Sequence, residues 1–206
     1  VNVIAQEPEK GPASDTVIFQ QVPQDLAPDA VKSGTIDYYI YALKSEQAVS
    51  LEDDPSVKLY YAPAGLNDFG LNPAPAPEGE LNPLSLRAVR LALNYLVDRD
   101  YIVNEIFKGL ASPMYTHLSA YDPDFAVIYD IVAKYEFDYD PARADMMITS
   151  ALTDAGAYKE AGKWYYNGNP ITIKFVIRIE DERRQLGDLL ATELEKLGFT
   201  VDRMYQ

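Results

Sequence analysis

The sequence predicts an α/β fold in which helices flank a mixed sheet. Segments of strand period alternate with segments of helical period along the chain. Residues 163–179 read as a β-hairpin, because Asn167-Gly168 suits a type I′ turn between two strand-like arms. Three stretches, 85–108, 141–155 and 183–197, carry apolar residues at helical spacing and need burial on one face.

The elements follow in order. Residues 1–14, with Pro8, Gly11 and Pro12, read as a tail or connector, and 15–206 as a single α/β unit. Val17–Val22 has strand character, and Asp25–Ser33 a short helix closed by Gly34. Ile36, Tyr38 and Ile40 alternate with Asp37, Tyr39 and Tyr41, which predicts a half-buried strand over Ile36–Ala42. Ser45–Leu51 is one or two helical turns stopped by Asp53, Asp54 and Pro55, and Val57–Ala62 is another strand. Pro73, Pro75, Pro77 and Pro83 exclude helix or central strand over 72–83, leaving a loop that feeds the next helix.

Leu86, Val89, Leu93 and Leu96 form one helical stripe. Asp98 offers an N-cap for a second run carrying Ile102, Ile106 and Leu110, with Gly109 near its end. Residues 111–138 scatter aromatics without a period and read as a surface connection. Asp140 caps a helix that has Pro141 at its first position and Ala144, Met147, Ile148, Ala151 and Leu152 inward. After the hairpin turn, Ile171, Ile173, Phe175, Ile177 and Ile179 share one face and put Arg178 on the other. Leu186, Leu189, Leu190, Leu194 and Leu197 define a helix ending at Gly198, and Thr200–Tyr205 is a final strand. That strand runs to Gln206 without turn residues, so a partial unit truncated at its C-terminal side is expected.

Composition narrows the chemistry. A chain of 206 residues with 48% hydrophobic and 12% aromatic content folds rather than staying disordered. No run approaches the roughly 18 apolar residues that a membrane-spanning helix needs. The first residue is Val1, with no charged and apolar leader behind it, so a removed signal or an excised piece is expected. The absence of cysteine excludes disulfides, thiolate catalysis and Cys-ligated metals. A net charge of −14 opposes nucleic acid and anionic membrane surfaces as partners.

Catalytic signals are weak. His117 stands alone, without the partners of a triad or a metal site, and reads as a loop residue. Tyr121-Asp-Pro-Asp124 lacks the series of a Ca²⁺ loop and reads as a turn. Gly65, Gly70 and Gly79 do not precede a helix at phosphate-loop spacing. Tyr38, Tyr39, Tyr41, Tyr60 and Tyr61 form either a stacking platform or, more simply, sheet packing. Glu180, Asp181 and Glu182 could supply an acid–base pair, but acidic residues at a helix start are equally expected from its dipole.

One string adds family information. LRAVRLALNYLVDRDYIVNEIFKGLASP, residues 86–113, closely resembles a pattern of family 5 extracellular solute-binding proteins, the receptors of peptide- and nickel-type ABC importers. Val89, Arg90, Ala92, Leu93, Tyr95, Asp98, Arg99, Ile102, Gly109, Ala111 and Pro113 carry the resemblance. Further matches fall in the family's order: Asp15-Thr-Val-Ile-Phe19, Val31-Lys-Ser-Gly-Thr-Ile-Asp37, Phe69-Gly-Leu-Asn72, Asp140-Pro-Ala-Arg-Ala144 with Ala155-Gly156, and Leu194-Glu-Lys-Leu-Gly-Phe-Thr-Val201. Two departures stand out. Ser85 and Leu86 occupy places where the family has an acidic residue, and the stretch from Asp140 to Gly156 is about one helical turn longer than the family pattern.

The resemblance implies one lobe of a type II periplasmic-binding-protein fold, with residues 1–14 as a tail or inter-lobe connector. It implies a solute-binding receptor that captures a peptide, an oligosaccharide or a metal chelate between two lobes and hands it to ABC permease subunits. It further implies an extracellular or periplasmic location, with lipid anchoring through a segment not in this sequence. A monomer without cofactor or bound metal is expected. Two segments on such a lobe face the ligand, implying Asn67, Asp68 and Phe69 from one, and Arg178, Glu180 and Glu182 from the other. Arg178 pairing with a neighbouring acid is the competing reading of that residue. Two other functions stay open: a secreted carbohydrate- or peptide-hydrolysing enzyme using Glu180 and Glu182, and an extracellular adhesion module.

Overall fold

The computed structural model describes residues 14–62, 65–135 and 137–206. All of the 1–14 tail except Ser14 lies outside them. The chain divides into two compact units, Val1–Leu43 and Lys44–Gln206.

In the first unit a 3-10 turn, Gln24–Leu26, runs into helix α1, Ala27–Lys32, with Pro28 in its first turn and Ala27 buried. The expected helix over Asp25–Ser33 is present. The expected strands at Val17–Val22 and Ile36–Ala42 are not, since both segments run without ladder pairing. Strand propensity describes fitness for a pleated, half-buried surface, and a strand also needs a neighbouring edge. Among the described residues nothing pairs these segments, and Ile18 and Phe19 remain 82% and 86% exposed.

The second unit opens with helix α2, Ser45–Leu51, which matches the expected turns and buries Ala48 and Leu51. Val57–Ala62, expected as a strand, likewise joins no ladder among the described residues. The two abutting helical runs expected over 85–108 are present, but each is short and interrupted by 3-10 or π turns. A 3-10 turn, Pro83–Ser85, precedes α3, Arg87–Ala92; a second 3-10 turn, Leu93–Tyr95, follows. Helix α4, Arg99–Tyr101, then widens into a π-turn at Ile102–Ile106. The predicted cap holds: the Asp98 carboxylate accepts from the Tyr101 amide at 2.9 Å. The 111–138 connection contains a helix that its sequence period did not announce, α5, Phe125–Ala133, with no buried residue. Asp140 accepts from the Arg143 amide at 2.9 Å and starts α6, Pro141–Asp154, as predicted.

The sheet is smaller than expected and split in two. Strands β1 (Tyr158–Glu160), β2 (Lys163–Tyr166) and β3 (Asn169–Pro170) form an antiparallel meander. Asn167 and Gly168 both have positive φ, 49° and 80°, as the type I′ turn requires. The second arm does not continue along the hairpin to Ile179. Pro170 has no amide proton to donate, and the chain leaves β2 after Ile171 donates to the Trp164 carbonyl. Strand β4, Thr172–Ile177, then pairs in parallel with β5, Thr200–Tyr205, through α7, Arg183–Lys196. This is a β-α-β unit, the building block of the predicted α/β class.

Helices α3 and α6 pack together, and α7 lies on β4 and β5. The shared core includes Tyr95, Ile148, Trp164, Ile173, Leu190 and Phe199. Gly187 sets the approach of α7 to β4: a Cβ there would stand 2.6 Å from Cγ2 of Ile177. The missing side chain lets the helix sit close, and this fixes where α7 begins relative to the end of β4.

Candidate functional site

Strand β4 alternates as the sequence predicts over its length. Ile173 and Ile177 are buried, Phe175 is half-buried, and Lys174 and Val176 face outward. Ile179, expected on the inner face, lies past the strand end and is 48% exposed. The chain leaves the strand at Arg178 and reaches α7 within five residues.

The first predicted segment packs on β4, the strand that leads into the second, through an aromatic contact. The Phe69 ring approaches Phe175 edge-on, with centroids 5.9 Å apart at 66°. Phe69 is half-buried against the core, while Asn67 and Asp68, just before it, are exposed. Residues 67–69 therefore flank the C-terminal half of β4, the strand end beyond which α/β folds place ligands.

The charged residues beyond β4 engage one another. Arg178 donates from Nε to both oxygens of Glu180, at 2.9 and 3.1 Å, and from Nη2 to Oε1. Arg183 donates to Asp181 through Nε and Nη2, each at 2.7 Å, and its Nη2 also lies 3.8 Å from Glu180. The hydrogen bond from Arg178 holds the Glu180 carboxyl well below its ordinary 4.5, at about 2. The same bond raises Arg178. Burial alone would push Asp181 upward, and the hydrogen bonds from Arg183 outweigh it. Glu182 is turned to a different partner: its carboxylate accepts the Ser45 amide at 2.5 Å, in the first turn of α2. Of the six expected site residues, Arg178 and Glu180 form a pair, Phe69 packs against the strand that precedes them, Glu182 ties α7 to α2, and Asn67 and Asp68 are exposed.

This arrangement suits binding better than acid–base chemistry. A general acid of the glycosidase kind needs a carboxyl pushed upward, whereas Glu180 is pushed down. Asp181 accepts from the Arg183 amide at 3.1 Å, the helix-start role expected of an acidic residue here. His117 is exposed, and among the described residues no group of acidic, histidine or cysteine side chains could hold a metal ion. Asp122 accepts from the Asp124 amide at 2.9 Å, as a turn does. Tyr38, Tyr41, Tyr60 and Tyr61 are exposed rather than packed in a sheet. No described helix is long and apolar enough to cross a membrane.

Sequence reasoning missed two polar features. Arg99 reaches into the loops around it, donating from Nε to the Met114 carbonyl at 2.7 Å and from Nη1 to the Asn94 and Phe137 carbonyls. Burial lowers its pKa, and among the described residues no carboxylate pairs with it. Glu193, 6% exposed, pairs with Lys196 at 2.6 Å, beside a cavity of about 180 Å³ that it lines with Tyr139 and Asp98. Burial and then Glu193 push the Tyr139 hydroxyl up. The signal for Glu193 was its position next to Leu194, on the buried side of a leucine-rich helix. A larger open cavity of about 460 Å³ is lined by Tyr121, Phe125 and Tyr129, and neither cavity is lined by a predicted site residue.

Comparison with known proteins extends the picture. No curated protein matches the chain. Among solved structures, a periplasmic oligopeptide-binding protein of an oligopeptide ABC transporter from Thermotoga maritima aligns with TM-score 0.63 and 18% identity, over 91% of this chain and 35% of that one. Its mannohexaose-bound form aligns with TM-score 0.57 and 18% identity, over 90% and 34%. The oligopeptide-binding protein AppA from Bacillus subtilis, in complex with a nonapeptide, gives 0.59 and 19%, over 90% and 35%. NikZ from Campylobacter jejuni, in complex with Ni(L-His), gives 0.58 and 19%, over 89% and 34%. At these identities the likeness is one of fold, and the chain spans about a third of the length of the structures it matches. The model of bacterial extracellular solute-binding proteins, family 5, matches residues 8–204. With nearly the whole sequence covered, this chain belongs to the family 5 bacterial extracellular solute-binding proteins.

Proposed function

We propose that the chain forms one wall of the solute site of an ABC-importer receptor. The intact receptor captures its solute between two lobes on the outer side of the cell membrane and presents it to permease subunits. The family match over residues 8–204 carries this reading. Residues 67–69 and 178–182 line the wall, with Phe69 offering apolar surface and Arg178 offering donors. Capture requires complementarity and closure rather than a nucleophile, in keeping with the pairing of Arg178 with Glu180 and of Arg183 with Asp181. The related structures hold a nonapeptide, mannohexaose and a nickel–histidine complex, so the solute is a peptide, an oligosaccharide or a metal chelate. The receptor acts as a monomer and is held at the membrane by a lipid anchor outside this segment.

Native mass spectrometry of the full-length protein with peptides of three to nine residues, mannohexaose and nickel–histidine tests the proposal. One of them should bind in a 1:1 complex and be recovered unchanged. Hydrolysis of the bound compound, abolished by Glu182→Gln, would support the enzyme reading instead. A protein partner with no small ligand would support the adhesion reading.

A further inference from the structure

Arg178 meets Glu180 along one edge of its guanidinium, the Nε–Nη2 edge. A guanidinium grips a ligand carboxylate or phosphate bidentately along such an edge. Here the chain's own carboxylate already fills it. Nη1 donates to no described group, and the Arg178 side chain is 53% exposed, so its second edge remains open to solvent.

The surrounding charge reinforces the occupied edge. Arg183 is engaged by Asp181 while also standing 3.8 Å from Glu180, so two guanidiniums and two carboxylates alternate and cancel. Asp68 and Glu182 add further negative charge to the two sequence segments read as the wall. An anionic solute group would have to displace Glu180 or sit beside it. A neutral acceptor, such as an amide carbonyl or a sugar hydroxyl, can take the Nη1 donors without disturbing the pair.

We infer that Glu180 is a specificity-determining residue of this wall: by serving as the internal counter-ion of Arg178, it directs the wall toward uncharged hydrogen-bond acceptors and against carboxylates and phosphates. The inference rests on the reading of residues 178–182 as solute-facing. Its physical core concerns one ion pair and is testable without a solute. The pair is exposed and therefore displaceable, so the discrimination it provides is modest, on the order of fivefold.

The experiment is arginine modification by phenylglyoxal in the unsubstituted chain and in Glu180→Gln, read by peptide mass spectrometry. Arg184, 61% exposed, serves as the internal reference. Inorganic phosphate is the competing probe. In Glu180→Gln, phosphate should protect Arg178 with a midpoint about fivefold lower than in the unsubstituted chain, while the Arg184 midpoint stays the same. Glu180→Ala should behave alike, which removes the amide oxygen that Gln retains as an acceptor. Equal midpoints, or easier protection of the unsubstituted chain, would overturn the inference and leave the receptor reading standing. Failure of every solute in the binding test would overturn the receptor reading without altering this result.

Discussion

Replacing Gly187 by Ala should destabilise the protein, against the usual sign for a glycine inside a helix. In an exposed helix interior the change to Ala gains about 0.8–1 kcal/mol. At Gly187 the added methyl would stand 2.6 Å from Cγ2 and 2.8 Å from Cγ1 of Ile177. Ile177 is only 2% exposed, so it has little room to rotate away. Overpacking of this kind costs about 1–3 kcal/mol, which outweighs the helix gain and leaves a net loss of about 1 kcal/mol. The strain falls where α7 rests on β4, so the start of α7 and the Glu182–Ser45 hydrogen bond shift with it. Urea denaturation of Gly187→Ala should show a lower midpoint at unchanged slope. In an Ile177→Ala background the two contacts under 3 Å are gone and only the 3.2 Å approach to Cβ of residue 177 remains, so the cost of Gly187→Ala should fall by about 1 kcal/mol or more. Stabilisation by Gly187→Ala in the unsubstituted chain would refute the close approach of α7 to β4.

Arg99→Ala should cost about 3 kcal/mol in urea denaturation, because carbonyls of three separate segments lose a charged donor; Arg99→Lys should recover less than half, since a point charge cannot reproduce the planar fork. Glu180 should titrate at about 2 by carboxyl NMR and return toward 4.5 in Arg178→Ala. Its folded value lies below the ordinary one, so the pair's contribution is complete above 4.5 and is lost as pH falls toward 2; a midpoint near 4.5 in the unsubstituted chain would contradict the pairing. Glu182→Ala should speed hydrogen exchange of the Ser45 amide by roughly fivefold, whereas Glu182→Gln, which keeps an acceptor oxygen, should change it little.

The legible parts of the fold were those fixed locally. Asp98 and Asp140 announce helix starts through their spacing to the amides they accept, and Asn167-Gly168 announces its turn through the positive φ it tolerates. The β4–α7–β5 unit was readable because both periods are clean and Gly198 ends the helix. The strands at 17–22, 36–42 and 57–62 failed because pairing is a property of two segments, and residue type speaks for only one. The break near Leu86 and the π-turn at Ile102–Ile106 failed because an apolar stripe with period near 3.6 persists through short 3-10 and π segments. In the candidate site, sequence pointed to Arg178 and a neighbouring acid, Glu180 or Asp181, as partners. It could not show that Glu182 turns to Ser45, 137 positions away.

Calorimetry on the full-length receptor and on this 206-residue chain with the same solute tests most directly whether the chain supplies one wall of a two-lobed site. Enclosure between lobes removes water and strengthens polar contacts, so the full-length protein should bind far more tightly than the chain alone. Arg178→Ala should weaken binding in the full-length protein with little change in melting temperature, since an exposed arginine contributes little to stability. Equal affinity of the two proteins for the solute would contradict the account.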